Sequence, residues 1–176
     1  MMTKSQRGVV IGICAGGLIA LTCFLIFVYG IGVPVAPSEF PAIVRLWLLL
    51  SAIVVFWLFI CIARLANYRF FSAADIDAGS VQTSTDRARI LQSILQNTLE
   101  QSLLAIVAYG AWLFLGPAPW QMLPVLCVVL FSFGRILFVV SYSYGAALRA
   151  PGFALTFYPT AVLLITVLVL QAVQML

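Results

Sequence analysis

Three observations predict an all-α integral membrane protein: an excess of apolar residues, a scarcity of charge, and apolar runs that continue without alternation. Of 176 residues, 64% are hydrophobic and 8% charged, with a mean hydropathy of +1.17. A soluble domain is typically about 45–50% apolar and about 25% charged. This composition excludes a water-soluble globule and a disordered chain. The net charge of +4 comes from only 9 basic residues, too sparse for a nucleic-acid-binding patch. Histidine is absent, which removes the commonest metal ligand and general base. Cys14, Cys23, Cys61 and Cys127 lie in apolar runs without a CxxC pair. They are expected to pack as small apolar residues, and no metal is expected.

A hydrocarbon core of about 30 Å is crossed by roughly 20 apolar residues in a helix. Five segments qualify: residues 9–32, 45–64, 90–115, 120–148 and 153–175. Barrel strands would instead alternate every second residue. The first run exceeds the 7–15 residues of a signal-peptide core, so it is expected to be retained. Its Gly8, Gly12 and Gly16 form a small-residue packing face. Pro117 and Pro119 stop the third helix in a tight turn. Thr83 and Asp86 read as a capping box opening that helix. Asp75 and Asp77, in the polar loop over residues 71–85, are expected to be solvated rather than to bind metal. The chain divides into residues 1–41, a helix and loop, and residues 42–176, a four-helix membrane domain.

Basic residues orient the chain. With the N-terminus in the cytoplasm, Lys4, Arg7, Arg64, Arg69, Arg87, Arg89 and Arg149 fall inside and only Arg45 outside. The short loops suggest a bacterial inner membrane.

Polarity enters the membrane at DRARILQSILQNTLE, residues 86–100. At 100° per residue, Asp86, Arg89, Ser93, Gln96, Asn97 and Glu100 share a stripe about 100° wide. An ionised residue at the membrane centre costs at least about 2.5–3.5 kcal/mol, so the stripe needs other helices or a wet cavity. Arg135, Tyr142 and Arg149, spaced by sevens, are expected to form a second stripe on the fourth helix. Glu100 lies about 16 Å beyond Arg89, and Arg135 about 21 Å above Arg149. Glu100 and Arg135 are therefore expected to meet. They could form a register-fixing ion pair or part of a polar pocket opening to the cytoplasm. Arg64, Arg135 and Arg149 suit carboxylates, while Asn97 and Glu100 can receive an ammonium or amide. A zwitterion with several carboxylates matches this set, with adjoining lipid supplying an apolar co-substrate.

QNTLE, residues 96–100, followed by GRILFVVSYSYGAALRAP, residues 134–151, resembles the MAPEG superfamily, membrane-associated proteins in eicosanoid and glutathione metabolism. The resemblance covers roughly residues 42–176 and makes the first helix an addition to a four-helix core. It implies a homotrimer, third helices packed round its axis, with glutathione as co-substrate between subunits. Gln96, Asn97, Glu100, Arg135 and Tyr142 would then hold glutathione, with Arg64 a looser match. Arg149 would occupy the place of the arginine that stabilises the thiolate. Ser93 stands where arginine is usual, and Phe138 replaces Tyr or His.

The resulting expectation is a glutathione-dependent transferase or peroxidase acting on lipophilic electrophiles. The alternative is a non-catalytic lipid-binding or scaffold trimer, favoured by Ser93 and Phe138. For Arg149 itself the alternative is a headgroup anchor. A transporter fits less well, because no broken helix or inverted repeat is visible.

Overall fold

Each apolar run folds as a helix, because hydrocarbon leaves backbone N–H and C=O groups no partner outside the segment. The computed structural model describes residues 2–76 and 85–176. Five helices among the described residues are long and apolar enough to cross a membrane. They are α1 (Lys4–Leu25), α2 (Phe40–Phe70), α3 (Asp86–Leu115), α4 (Leu123–Ser141) and α5 (Ala146–Gln174). A π-helical turn, Ile26–Ile31, prolongs α1. Thr3 caps α1 reciprocally with Gln6: the Gln6 N–H donates to Thr3 Oγ1 at 3.2 Å, and the Thr3 N–H to Gln6 Oε1 at 2.8 Å.

The helices alternate in direction. The core lies between α2, α3, α4 and α5, where Val54, Ala105, Tyr109, Phe131 and Leu163 are almost wholly buried. Indole N–H groups bond across it: Trp47 donates to the Ile106 carbonyl at 3.0 Å, and Trp57 to Ser132 Oγ at 3.1 Å. Gly110 makes room for Trp47, since a Cβ there would lie 2.8 Å from the indole nitrogen.

The first helix stands outside that core and runs parallel to α5. A Cβ on Gly8 would lie 2.8 Å from Ala147 Cβ, and one on Gly12 2.8 Å from the Ala147 carbonyl oxygen. One on Gly16 would meet the Pro151 carbonyl oxygen at 2.7 Å. Pro151 has no N–H to return to the Ala147 carbonyl, and Gly12 packs over that oxygen.

Three expectations need correction here. The fourth helix does not run to residue 148. It ends at Ser141, a 3-10 turn covers Tyr142–Tyr144, and Gly145 at φ 104° reverses the chain. Arg149 therefore belongs to α5, and its heptad spacing from Arg135 and Tyr142 is not a helical stripe. The cap of α3 is Thr85, whose hydroxyl accepts from the Ala88 N–H at 3.3 Å. Thr83 and Asp77 lie outside the described residues. Asp75 is fully buried rather than solvated. Its carboxylate accepts from the Ser72 hydroxyl at 2.6 Å, the Thr85 N–H at 2.8 Å and the Thr85 hydroxyl at 2.8 Å. These bonds, led by that of Ser72, hold its pKa below the ordinary aspartate range.

Candidate functional site

A cleft of about 370 Å³ opens where α1, α3, α4 and α5 approach the end of the bundle that holds the α4–α5 turn. Its polar lining is Asn97, Tyr142 and Arg149, and its apolar lining includes Val9, Ile13, Phe138, Ala150 and Phe153. The reversal at Gly145 brings Arg149, one turn into α5, back over the last residues of α4. Its guanidinium carbon lies 4.4 Å from the centroid of the Tyr142 ring. Tyr142 in turn packs edge-on against Phe138, with centroids 5.3 Å apart.

Beneath this pair, Arg135 is completely buried. One guanidinium nitrogen donates to Asn97 Oδ1 at 2.9 Å and another to Thr156 Oγ1 at 2.6 Å. The guanidinium carbon lies 4.6 Å from the Phe138 ring centroid and 5.6 Å from that of Phe131. Arg135 thus ties α3, α4 and α5 together through neutral partners, and its Nε has no hydrogen-bond partner among the described residues. Close packing of α4 on α5 permits this. A Cβ on Gly134 would lie 2.8 Å from the Gly152 carbonyl oxygen.

The structure therefore divides the residues singled out in the sequence. Asn97, Tyr142 and Arg149 line the cleft, and Arg135 buttresses Asn97 from below. Gln96 and Glu100 are exposed on the outside of α3, where Gln96 Nε2 donates to Glu100 Oε1 at 2.9 Å. Arg64 is exposed on α2 and is not among the residues that line the cleft. The expected meeting of Glu100 with Arg135 does not occur. The core face of α3, through Ile94, Thr98, Gln101 and Ala105, is turned roughly 120° from the middle of the polar stripe at 100° per residue. Asn97 sits on the near edge of the stripe and reaches inward, whereas Glu100 lies beyond reach. Asp86 pairs with Arg89 on the same outer face.

Thr156, Val9 and Ile13 were missed from the sequence. A threonine in the apolar run of α5, which also holds Thr160 and Thr166, was the signal for the first. For the others it was the glycine face of α1, which places residues 9 and 13 beside the seam.

The fold is thus that of an all-α, multi-pass integral membrane protein, with polar groups gathered near the end of the bundle that holds the α4–α5 turn. The MAPEG family model matches residues 44–169, and the chain belongs to that family. The match leaves α1 outside it. No curated protein and no solved structure matches the chain.

Proposed function

We propose that this protein is a glutathione-dependent transferase or peroxidase that acts on lipophilic electrophiles. The observation that carries this reading is the convergence of Asn97, Tyr142 and Arg149 on one cleft whose remaining lining is apolar. Arg149 supplies a permanent cation where a soluble thiol meets the membrane edge. A free thiol titrates near 8.5, and a neighbouring arginine favours its thiolate. Asn97, held by Arg135, offers its amide N–H groups to a peptide carboxylate or carbonyl. Tyr142 keeps its hydroxyl for the ligand while its ring supports Arg149. Equilibrium binding of glutathione to the purified protein tests the reading, and absence of binding overturns it.

A homotrimer is part of the proposal, its number taken from the family resemblance. Asp86, Arg89, Ser93, Gln96 and Glu100 are exposed along α3 of the single chain. Glu100 lies about 21 Å along the helix from Asp86 at 1.5 Å per residue, too deep to face lipid at the cost given above. Neighbouring copies would cover this stripe, and Gln96, Glu100 and Arg64 would reach glutathione from across the subunit boundary. Native mass spectrometry showing mainly monomer with helix content retained would remove this part. The bias of the basic residues supports a cytoplasmic N-terminus, and the short loops support a bacterial inner membrane. Single cysteines at Ser5 and Ser38, in a background lacking native cysteines, should label from opposite sides.

The second reading, a lipid-binding scaffold trimer, is favoured by Phe138, which puts a ring in the cleft where the family resemblance leads one to expect a hydroxyl or imidazole.

A further inference from the structure

We infer that α1 is one wall of the acceptor site, with Val9 and Ile13 selecting which lipophilic electrophiles fit beside Arg149. The inference rests on the thiol-transfer reading of the cleft and concerns residues outside the family match at 44–169. Three features of the structure converge on it. The glycine face of α1 draws that helix onto α5 so closely that Gly8 and Gly12 face Ala147 and Ala150. Residues 9 and 13 follow these glycines by 100° round the helix. They therefore flank the seam and stand level with Arg149 and Phe153, all four lining the same cleft.

The polar groups Asn97, Tyr142 and Arg149 come from α3, the α4–α5 turn and α5, and α1 contributes only the apolar Val9 and Ile13. An electrophile that meets a thiolate at Arg149 therefore has its apolar body against Val9, Ile13, Ala150 and Phe153. With an α,β-unsaturated aldehyde the step balances without an oxidant or leaving group. The thiolate sulfur bonds to the β-carbon, the C=C electron pair moves to the carbonyl oxygen as an enolate, and the enolate takes a proton from solvent. The reacting end then lies at Arg149 and the alkyl tail runs along α1.

The test uses full-length protein in lipid nanodiscs with glutathione and two acceptors, 2-nonenal and the short 2-butenal. Ile13→Trp should lower kcat/KM for 2-nonenal at least roughly tenfold, and that for 2-butenal by no more than about threefold, in line with the discrimination apolar pockets achieve. Ile11→Trp on the exposed face of α1 should change neither acceptor. An unchanged 2-nonenal to 2-butenal ratio in Ile13→Trp, or an equal loss in Ile11→Trp, overturns the wall. Glutathione Kd measured on the same preparations judges the thiol reading separately. A 2-nonenal analogue carrying a tail diazirine judges the wall without glutathione. Label within residues 9–13 and 146–153 that Ile13→Trp abolishes supports it, and label found only elsewhere overturns it.

Discussion

The Arg149 guanidinium lies 4.4 Å over the Tyr142 ring, joining two residues on opposite sides of the chain reversal at Gly145. A cation over an aromatic face is worth about 0.5–2 kcal/mol, which favours the position of the arginine over the cleft. The same contact ties the end of α4 to the first turn of α5.

Arg149→Leu should abolish the ultraviolet absorbance of bound glutathione thiolate and change glutathione Kd by much less. The expected loss corresponds to a roughly tenfold to hundredfold drop in the thiolate-to-thiol ratio, ~1.4–2.7 kcal/mol. Arg149→Lys, which keeps the charge but not the planar fork, should retain part of the signal. Undiminished thiolate absorbance in Arg149→Leu would make this residue a membrane anchor.

Arg135 carries a different expectation, because its partners Asn97 and Thr156 are neutral. Arg135→Ala leaves a void between Phe131 and Phe138 and should destabilise by about 2–5 kcal/mol, as for other large-to-small core changes. Arg135→Met keeps much of the volume and should cost less. Thermal unfolding in detergent ranks the two, and equal losses would mean that the hydrogen bonds outweigh the packing.

Gly12 and Gly17 should respond oppositely to alanine. A Cβ on Gly12 meets a backbone oxygen and neighbouring side chains, whereas one on Gly17 meets nothing within 4 Å. Gly12→Ala should destabilise the α1–α5 contact by about 1–3 kcal/mol. Gly17→Ala should be neutral or stabilise the helix by up to about 1 kcal/mol. Thermal unfolding of both variants checks this, and a loss in Gly17→Ala would argue against the observed seam.

Asp75 predicts a pH dependence. Its pKa is lowered in the folded chain, so its contribution is complete above the ordinary value of 3.8 and is lost as pH falls through the lower folded value. Asp75→Asn should therefore be less stable than wild type near neutrality, and the gap should close on acidification. A gap that stays constant down to low pH would assign the effect to side-chain shape alone.

The span count and the glycine face of α1 were legible because lipid imposes simple constraints on length and close approach. The α4–α5 boundary was not. Hydropathy continues through residues 136–147, and the break rests on Ser141, Ser143 and Gly145, none of which interrupts an apolar average. The heptad spacing of Arg135, Tyr142 and Arg149 then imitated a continuous face. Helical projection did find the polar stripe on α3 but could not say which edge faces inward. That is decided by the core face through Ile94 and Ala105, which leaves Asn97 inside and Glu100 outside. Thr85 was likewise hidden among several threonines and serines that could each cap α3, and Asp75 selects it.

The pairing of α1 with α5 imposes an order on biogenesis. Of the five helices, α1 leaves the ribosome first and its partner α5 follows after the other three. Gly8 and Ala147 are roughly 140 residues apart, which at ~5–20 residues per second is a delay on the order of ten seconds. During that interval the glycine face of α1 has only lipid or the insertion machinery to rest against. Association of α1 with α5 is therefore a late lateral step between helices already inserted. The cleft acquires its Val9 and Ile13 wall only after α5 has been made.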